Sequence, residues 1–264
     1  FYAPLRQLGA DYHVKAQAEG AIAELSPLLA FQPAEKTKAN PFILTAPPAI
    51  DADNIWVNHQ QRTRLAPLSF AIGAGERLTI VGQSGSGKST LLQIFLGFCA
   101  YQGDIFIDNQ NFNTIDSTQF RHQIAYLSQQ TMLLPMSIAD NLRLPDPTAS
   151  DDKLWQILAQ VGLKPLIKAL PNQLDTQLGE RGSGLSGGQQ RRLAIAQLLL
   201  QDAQLWLLDE PTEHLDSDTA AEINGLLQQV TRGKTVLWVT HDATNLPWLD
   251  RQISLDIAST LAKA

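Results

Sequence analysis

The stretch from Arg77 to Phe95, RLTIVGQSGSGKSTLLQIF, constrains the fold more than any other part of the sequence. An apolar run ends at a loop containing Gly82, Gly85 and Gly87, and this loop leads directly into a segment predicted to be helical. The loop satisfies the pattern GxxxxGK[ST], in which glycines let successive backbone N–H groups face one anion. The N-terminus of the following helix adds positive potential. The stretch therefore predicts a strand, a phosphate-binding loop and a helix.

Three further apolar runs are followed by polar side chains. LWLLDE ends in Asp209 and Glu210, TVLWVTH ends in His241, and Gln129 follows the strand-like IAYLS. Because helical segments alternate with these runs, the pattern indicates an α/β fold with a mostly parallel sheet covered on both faces. A carboxylate that ends a buried strand needs a metal or a proton as its partner. We therefore expect one or both carboxylates to work at a bound phosphate.

The individual roles follow from the chemistry of phosphoryl transfer. Lys88 is expected to reach the β- and γ-phosphates and Ser89 to ligate Mg²⁺. Asp209 is expected to hold Mg²⁺ through water, and Glu210 to polarise the attacking water. His241 is a candidate sensor of the γ-phosphate, although a lone histidine at a strand end is more often structural. For Gln129, spacing alone gives only a weak signal.

The composition excludes several classes of protein. With 264 residues, 44% of them hydrophobic, the chain is long enough to bury a large core. The formal charge of −6, without a run of Lys or Arg, argues against nucleic acid as a partner. The single cysteine, Cys99, excludes an internal disulfide and a metal site built from cysteines. No apolar run approaches the roughly 20 residues that a membrane span needs.

A second glycine-containing loop, RGSGLSGGQQRR, begins at Arg181 and leads into another apolar segment. Ser186 is a good helix N-cap, which explains this serine without any ligand. Gly187 and Gly188 each cost a helix about 1 kcal/mol relative to alanine, which favours a backbone that approaches another group, such as an anion. A γ-phosphate would reach this loop from another chain, or from this chain's own nucleotide if a helical insertion folds back. Spacing leaves both possibilities open.

The chain is expected to divide into three parts. Residues 1–31 have apolar side chains at helical spacing, and residues 32–48 contain four prolines, which predicts an extended linker. Residues 49–264 are expected to hold the α/β domain, with the helical insertion at about residues 137–185. Because the apolar stripe of the first helix is incomplete, and the chain begins at Phe1 without a signal-like segment, we expect a piece of a longer protein.

The motifs occur in the order found in the nucleotide-binding domains of ABC ATPases, and residues 50–245 closely resemble that family. The resemblance implies a P-loop NTPase fold with a mostly parallel core sheet, an antiparallel β subdomain and a helical signature subdomain. It also implies ATP hydrolysis with Mg²⁺. In that family two domains dimerise head to tail, and each LSGGQ sequence closes over ATP held by the other domain.

Carried over residue by residue, the resemblance implies five sets of site residues. The phosphates would be surrounded by Gly82, Gln83, Ser84, Gly85, Ser86, Gly87, Lys88, Ser89 and Thr90. Mg²⁺ would be held by Ser89, Gln129 and Asp209, and catalysis would depend on Glu210 and His241. The signature facing the partner's ATP would be Leu185, Ser186, Gly187, Gly188 and Gln189, and Asp216 would communicate across the dimer.

The N-terminal segment resembles the cytoplasmic end of an exporter's last membrane helix, in particular that of the CydD subunits of bacterial CydDC exporters. That family exports glutathione and cysteine and supports cytochrome bd assembly. The resemblance implies a transmembrane domain on the same protein, a CydC-like second half-transporter, and a location at the cytoplasmic face of the inner membrane. The sequence LGERG, residues 178–182, resembles the segment that touches the transmembrane domains.

Three features depart from the family pattern. His59, with Trp56 nearby, stands where an aromatic residue usually stacks on adenine. Glu213 and His214 precede Leu215 where small residues are common, and the chain ends without the usual final hairpin and helices. Three alternatives to a thiol exporter remain: an exporter of a lipid, peptide or drug, a soluble ABC ATPase acting on nucleic acid, and a module that holds ATP without hydrolysing it.

Overall fold

The computed structural model describes residues 2, 15, 18–22, 25–26, 42–59, 62–244 and 246–255. The chain separates into two compact units, Phe1–Ala39 and Asn40–Ala264. In the first unit the described residues 15, 18–22 and 25–26 are helical, with Lys15 Nζ 3.6 Å from a Glu19 carboxylate oxygen. The remainder of the predicted helix, residues 32–41 of the predicted linker, and residues 256–264 lie outside the described residues.

The second unit begins with an antiparallel sheet. Its strands are β1 (Ile50–His59), β2 (Arg62–Ile72), β4 (Gln102–Ile107) and β5 (Gln110–Asn111), in the order β2-β1-β4-β5. Alternate residues of β1, including Ile50, Ala52, Ile55 and Val57, are buried with a bulge between them, whereas most of their neighbours are exposed. One face of this sheet therefore belongs to the core and the other faces solvent.

A five-stranded parallel sheet forms the centre of the second unit. Its strands are β3 (Arg77–Gly82), β6 (Ile124–Leu127), β7 (Leu205–Asp209), β8 (Thr235–Thr240) and β9 (Arg251–Leu255), in the order β6-β7-β8-β3-β9. All four pairings are parallel, and every residue of β7 and β8 is buried. The predicted α/β class with a mostly parallel sheet is confirmed.

The second unit contains seven described helices. They are α1 (Lys88–Phe95), α2 (Ser117–Arg121), α3 (Ile138–Leu142), α4 (Asp151–Gln160), α5 (Lys164–Lys168), α6 (Gly187–Leu200) and α7 (Ser217–Val230). Single 3₁₀ turns occupy Phe112–Thr114, Gln173–Asp175 and Glu180–Gly182. Of these, α3, α4 and α5 fall in the predicted helical insertion. Among the described helices, none has the length and apolarity to cross a membrane.

Two apolar cores cover opposite faces of the parallel sheet. Leu207 and Leu237 pack in the core shared with α1 and the antiparallel sheet, whereas Leu208 and Trp238 pack in the core shared with the helical region. Adjacent strand residues point to opposite faces, so each buried strand contributes to both cores. Gly87 has φ +100°, and a Cβ atom there would lie 2.5 Å from the Arg64 carbonyl oxygen in β2. Glycine is thus required where the phosphate loop meets the antiparallel sheet.

The aromatic cluster around Phe95 connects α1 to the antiparallel sheet. The Phe95 ring is fully buried and lies 6.5 Å from the Phe70 ring of β2 and 6.1 Å from the Phe112 ring. Phe95→Ala should lower the free energy of unfolding by about 3–5 kcal/mol, because it removes a large buried side chain and leaves a cavity. Urea unfolding monitored by circular dichroism measures this change.

The matched control for that prediction is Phe98, three residues further along the chain. Phe98 is 70% exposed and contacts the Arg121 guanidinium, whose central carbon lies 4.9 Å from the ring centre. Phe98→Ala should cost about 1 kcal/mol or less, the value of an exposed cation–π contact. Equal losses in the two variants would contradict the predicted role of Phe95.

Candidate functional site

A cavity of about 1050 Å³ opens where the parallel strands end. Its lining comes from the phosphate loop, from the segments that follow β6, β7 and β8, and from the start of β2. The described lining residues are Thr63, Arg64, Ser84, Gly85, Gly87, Lys88, Ser89, Thr90, Gln93, Gln129, Glu210, Glu213 and His241. Most of these lining residues were therefore predicted to be site residues from the sequence. The sequence analysis missed Thr63, Arg64 and Gln93, and it noted Glu213 only as a departure from the family pattern.

Lys88 is the buried cation of the site. Its side chain is 6% exposed, and its ammonium donates to the carbonyl oxygens of Gly82 (2.7 Å) and Gln83 (3.1 Å). The ammonium also lies 3.2 Å from Glu210 Oε1. The two carbonyls belong to the phosphate loop itself, so the curled backbone holds the lysine at the centre of the loop. A buried charge needs such partners, because burying it unpaired is costly.

Asp209 ends β7 behind the cavity lining. Its Oδ1 atom accepts from the Ser89 hydroxyl at 3.4 Å, and burial raises the pKa of its carboxyl group. The negative charge of Glu210 also raises this pKa, while Ser89 and Lys88 lower it. Burial and the nearby Asp209 raise the pKa of Tyr126, on β6, to about 12. A buried carboxylate beside a hydroxyl offers the hard oxygen ligands that Mg²⁺ prefers.

Glu210 has a strained backbone and a fully engaged side chain. Its φ is 43°, in the left-handed region that non-glycine residues rarely adopt. The side chain is 11% exposed; Oε1 contacts Lys88, and Oε2 lies 2.5 Å from Nδ1 of His241. His241 follows β8 and has a half-exposed side chain. The structure therefore brings Lys88, Glu210 and His241 into one chain of contacts.

Gln129 reaches the same cavity from the end of β6. Its Nε2 donates to the Glu213 carboxylate. Its backbone is fixed by Arg191, a residue of α6 that is only 3% exposed. The Arg191 guanidinium donates to the carbonyl oxygens of Ser128 (2.6 Å) and Gln129 (2.5 Å). Arg191 had no role in the sequence analysis, because nothing in the local sequence indicates that a charged side chain will be buried.

The signature loop lies apart from this cavity. None of the residues Leu185–Gln189 is among the described lining residues. Ser186, Gly188 and Gln189 instead line a groove of about 430 Å³, together with Thr219 and Glu222 of α7. The two sites share no described lining residue. In this structure the helical region does not fold the signature over the chain's own phosphate loop.

Hydrogen bonds and packing within this chain explain part of the sequence at the start of α6. Ser186 Oγ accepts from the Gln189 N–H at 3.3 Å, and Gln189 Oε1 accepts from the Ser186 N–H at 3.0 Å, which together form a capping box. A Cβ atom on Gly188 would lie 2.5 Å from the Thr219 methyl carbon, so glycine permits close packing of α6 against α7. Gly187 has no such restriction, since its nearest neighbour would be 3.7 Å away.

Asp216 and His59, which were also predicted to be site residues, are not among the described residues that line the cavity. Asp216 caps α7 by accepting from the Thr219 N–H at 3.0 Å, and this backbone hydrogen bond lowers the pKa of its carboxyl group. His59 ends β1, but its side chain lies outside what the structure describes. Trp56 pairs with Gln102 in the antiparallel sheet and does not line the cavity. Among the described lining residues there is no Phe, Tyr or Trp, and Arg64 supplies a planar group.

This arrangement of a curled phosphate loop, a buried lysine and strand-end acidic residues defines a phosphate-loop nucleotide-binding domain. A family model described as ABC transporter matches residues 65–213, which is more than half of the chain. The chain therefore belongs to the ABC transporter family and carries its nucleotide-binding ATPase domain.

Two of the curated relatives are glutathione/L-cysteine transport proteins. The glutathione/L-cysteine transport system ATP-binding/permease protein CydD of Escherichia coli is 35% identical over 252 residues, covering 93% of this chain and 42% of that protein. The corresponding CydC of Escherichia coli is 41% identical over 198 residues, covering 75% and 34% of the two chains. The chain thus spans less than half the length of these curated relatives.

A solved structure supports the same fold. A bacterial Atm1-family ABC exporter with ATP bound superposes with a TM-score of 0.81 and 30% sequence identity, covering 97% of this chain and 45% of that chain. The predicted ABC ATPase fold is confirmed by the family model and by this structural match.

The raised pKa of Asp209 predicts how the stability of the protein changes with pH. Because the pKa of this carboxyl group is raised in the folded protein, the folded state binds its proton more tightly than the unfolded state does. This group therefore favours folding at low pH, and its contribution is lost as the pH rises from about 4, the unfolded value, through the folded pKa. At pH 7.5, without Mg²⁺ or nucleotide, Asp209→Asn should raise the free energy of unfolding, and the gain should shrink as the pH falls towards 4. Urea unfolding across this pH range measures it.

The control is Asp51→Asn, at an exposed position in β1. It should leave stability within about 0.5 kcal/mol of the parent, as is usual for surface substitutions. A lower stability of Asp209→Asn than of the parent at pH 7.5 would show that hydrogen bonds, rather than burial, dominate at this carboxylate.

Proposed function

We propose that this chain is the ATP-hydrolysing domain of a bacterial exporter of glutathione and cysteine, working at the cytoplasmic face of the inner membrane in support of cytochrome bd assembly. The ATPase part rests above all on one observation, the convergence of Lys88, Glu210 and His241 on one cavity at the strand ends. The thiol part rests on the similarity to the two glutathione/L-cysteine transport proteins, CydD and CydC.

Ser89 and Asp209 fit a divalent cation. Their oxygens lie 3.4 Å apart, and the raised pKa of Asp209 reflects a burial that the nearby Lys88 offsets only in part. In this proposal Ser89, Asp209 and the amide oxygen of Gln129 hold Mg²⁺. The ion would offset negative charge on the β- and γ-phosphates of ATP.

The remaining chemistry is assigned to the chain's own side chains. Glu210 accepts a proton from water as the water oxygen bonds to the γ-phosphorus and the bond to the β–γ bridging oxygen breaks, giving ADP and phosphate. Lys88 offsets the charge on the phosphates, and His241 donates to a γ-phosphate oxygen. A γ-phosphate competes with Glu210 for both Lys88 and His241, so ATP binding itself releases the carboxylate that activates water.

The signature loop is assigned to a partner. Ser186 and Gly187 are exposed and lie in a different region from the chain's own cavity. In a head-to-tail pair each signature closes over the other domain's ATP, and Asp216, beside the same helix interface, communicates between the sites. The proposed partner is a CydC-like half-transporter, in line with the similarity to both CydD and CydC.

The helical region is assigned to contact with a transmembrane domain of the same protein. Met132 is 80% exposed, and Leu134 and Leu144 are also exposed; these apolar side chains lie between β6 and α4, around the start of the helical insertion. Gln190 Nε2 donates to the carbonyl oxygens of Gly182 and Leu185, which ties LGERG to the signature helix. Movement of α6 is thereby connected to the segment that would touch the membrane domain.

A second candidate function is export of a different substrate. The Atm1-family exporter shares the fold at 30% identity, close to the identity with CydD, and transport specificity is not encoded in the residues of the ATP site. A transport assay therefore has to distinguish thiols from other cargo.

The proposed function predicts the behaviour of Glu210→Gln. The amide keeps the size of the side chain but cannot take a proton from water, so hydrolysis should fall at least 100-fold, within the range typical for loss of a general base, while ATP binding persists. The intact protein is produced with its CydC-like partner in inverted membrane vesicles. ATP hydrolysis, binding of a fluorescent ATP analogue and ATP-dependent uptake of radiolabelled glutathione and cysteine are measured.

The parent should accumulate both thiols and the variant neither. Vesicles in which the parent hydrolyses ATP without taking up either thiol would contradict the substrate assignment and favour the second candidate. Full hydrolysis by Glu210→Gln would remove Glu210 from the role of base.

The signature assignment predicts the effect of Ser186→Arg. A long cation at this exposed position should obstruct the partner's ATP and lower turnover of the assembled transporter at least 10-fold, without weakening binding of the ATP analogue to the chain's own phosphate loop. Turnover and analogue affinity are measured on the same preparation.

Ser150→Arg is the matched control. Ser150 is an exposed N-cap of α4 that accepts from the Lys153 N–H, so this variant loses a cap of the same kind on a different helix. It should turn over ATP at the parent rate. Weakened analogue binding in Ser186→Arg alone would mean that the signature serves its own chain's site.

A further inference from the structure

Glu213 is an acidic residue of the cavity to which the proposed mechanism gives no task. It lies three residues after Glu210, and its N–H donates to the Glu210 carbonyl at 3.1 Å. Glu210 and His214 both have left-handed φ angles, 43° and 63°, which turn the chain back on itself after β7. This strained turn directs the Glu213 carboxylate into the cavity rather than away from it.

The contact that Glu213 makes there is specific. Its Oε2 atom accepts from Nε2 of Gln129. The Gln129 backbone is meanwhile fixed by the buried Arg191, which donates to the carbonyls of Ser128 and Gln129. Gln129 is thus held at two points, its main chain from α6 and its side chain from the turn after β7.

A carboxylate partner determines which end of an amide is free. Ionised carboxylates only accept hydrogen bonds, so Glu213 must take the NH₂ end of Gln129, and the Oε1 atom remains for another partner. A divalent cation needs that oxygen, because an amide NH₂ group is not a ligand for Mg²⁺. Outer residues that orient a metal ligand in this way typically change metal affinity 10–100-fold.

We propose that Glu213 is a positioning residue that orients the Gln129 side chain so that its amide oxygen, and not its nitrogen, is presented to the divalent cation bound with ATP. This inference rests on the proposed function, and it adds a residue that acts only through Gln129.

The competing role for Glu213 is direct binding of the cation. Glu210, Glu213 and His241 each offer an atom within 4.8 Å of the others. However, Lys88 Nζ lies 3.2 Å from Glu210, so the positive charge of the ammonium opposes a cation in this group. Gln129, by contrast, is in direct hydrogen-bond contact with Glu213. The geometry favours positioning over ligation.

A double-mutant cycle separates the two roles. Binding of Mn²⁺ to the intact protein, in the presence of a non-hydrolysable ATP analogue with an imido bridge, is followed by electron paramagnetic resonance. Glu213→Gln should weaken Mn²⁺ binding about 10-fold, because the new amide can meet either end of Gln129. Gln129→Ala should weaken it by a similar factor, and the double variant should be no weaker than Gln129→Ala alone.

Three controls accompany the cycle. Glu76→Gln, at the opposite end of β3, should leave Mn²⁺ affinity unchanged; Glu76 is engaged there by Gly73 and Arg251. Analogue binding in EDTA should not be weakened in Glu213→Gln. Glu213→Asp, which restores a carboxylate, should recover part of the Mn²⁺ affinity.

Two outcomes would overturn the inference about Glu213. Independent, additive losses in the double variant would mean that Glu213 binds the cation or acts through its charge alone. Unchanged Mn²⁺ affinity in Glu213→Gln would mean that the contact with Gln129 has no role in metal binding. A parent that binds the analogue and Mn²⁺ normally in these experiments leaves the proposed ATPase function intact, whereas a parent that binds neither refutes that function instead.

Discussion

The register of the parallel sheet is the constraint on which the site depends. Val81 pairs with Thr240, Asp209 with Val239, and Leu127 with Leu208. The residues that follow these pairs therefore emerge along one edge of the sheet, where the phosphate loop begins. Because β7 and β8 are buried on both faces, a shift of one residue would exchange the contents of the two cores. Packing far from the cavity thus fixes the relative positions of the groups that line it.

Two charged groups of the site, Lys88 and Glu210, are paired with each other, and each has further partners. Lys88 is engaged by two loop carbonyls and Glu210, and Glu210 is engaged by Lys88 and His241. A phosphate group offers Lys88 and His241 a stronger acceptor, because it concentrates more negative charge than one carboxylate. Asp209 differs, since its raised pKa indicates that its charge is poorly compensated by the protein. In the proposed function these opposite situations suit the two acidic residues to different tasks, water activation by Glu210 and cation binding by Asp209.

The sequence predicted the parts of the site that follow buried strands and missed the parts that depend on turns or on long side chains. The phosphate loop, Asp209, Glu210 and His241 could be predicted because apolar runs ending in polar residues mark the edge of a parallel sheet. Arg64 was missed because it comes from an antiparallel strand that no phosphate motif marks.

The signature glycines were only partly understood from sequence. For Gly188 the fold supplies a second reason for glycine, because its missing side chain makes room for Thr219 of the same chain. The interpretation of Ser186 as the helix N-cap agrees directly with its two hydrogen bonds to Gln189. Spacing along one segment cannot reveal which helix will pack against it, so the reason for each glycine had to come from the fold.

Arg191 connects the signature helix to the cavity. The spacing of the motifs in the sequence did not predict how these two regions are connected. Arg191 lies on α6, whose first turn carries the signature, and it holds the backbone of Gln129, whose side chain lines the other cavity. Burial lowers the pKa of its guanidinium, although the nearby Asp209 raises it, which indicates how little water reaches the group. Separating this charge from both carbonyls would leave it buried without partners, at a cost of several kcal/mol. The lower-energy response to a displacement of Gln129 is therefore movement of α6 with it, so the residue that lines the cavity is connected to the helix whose first turn carries the signature.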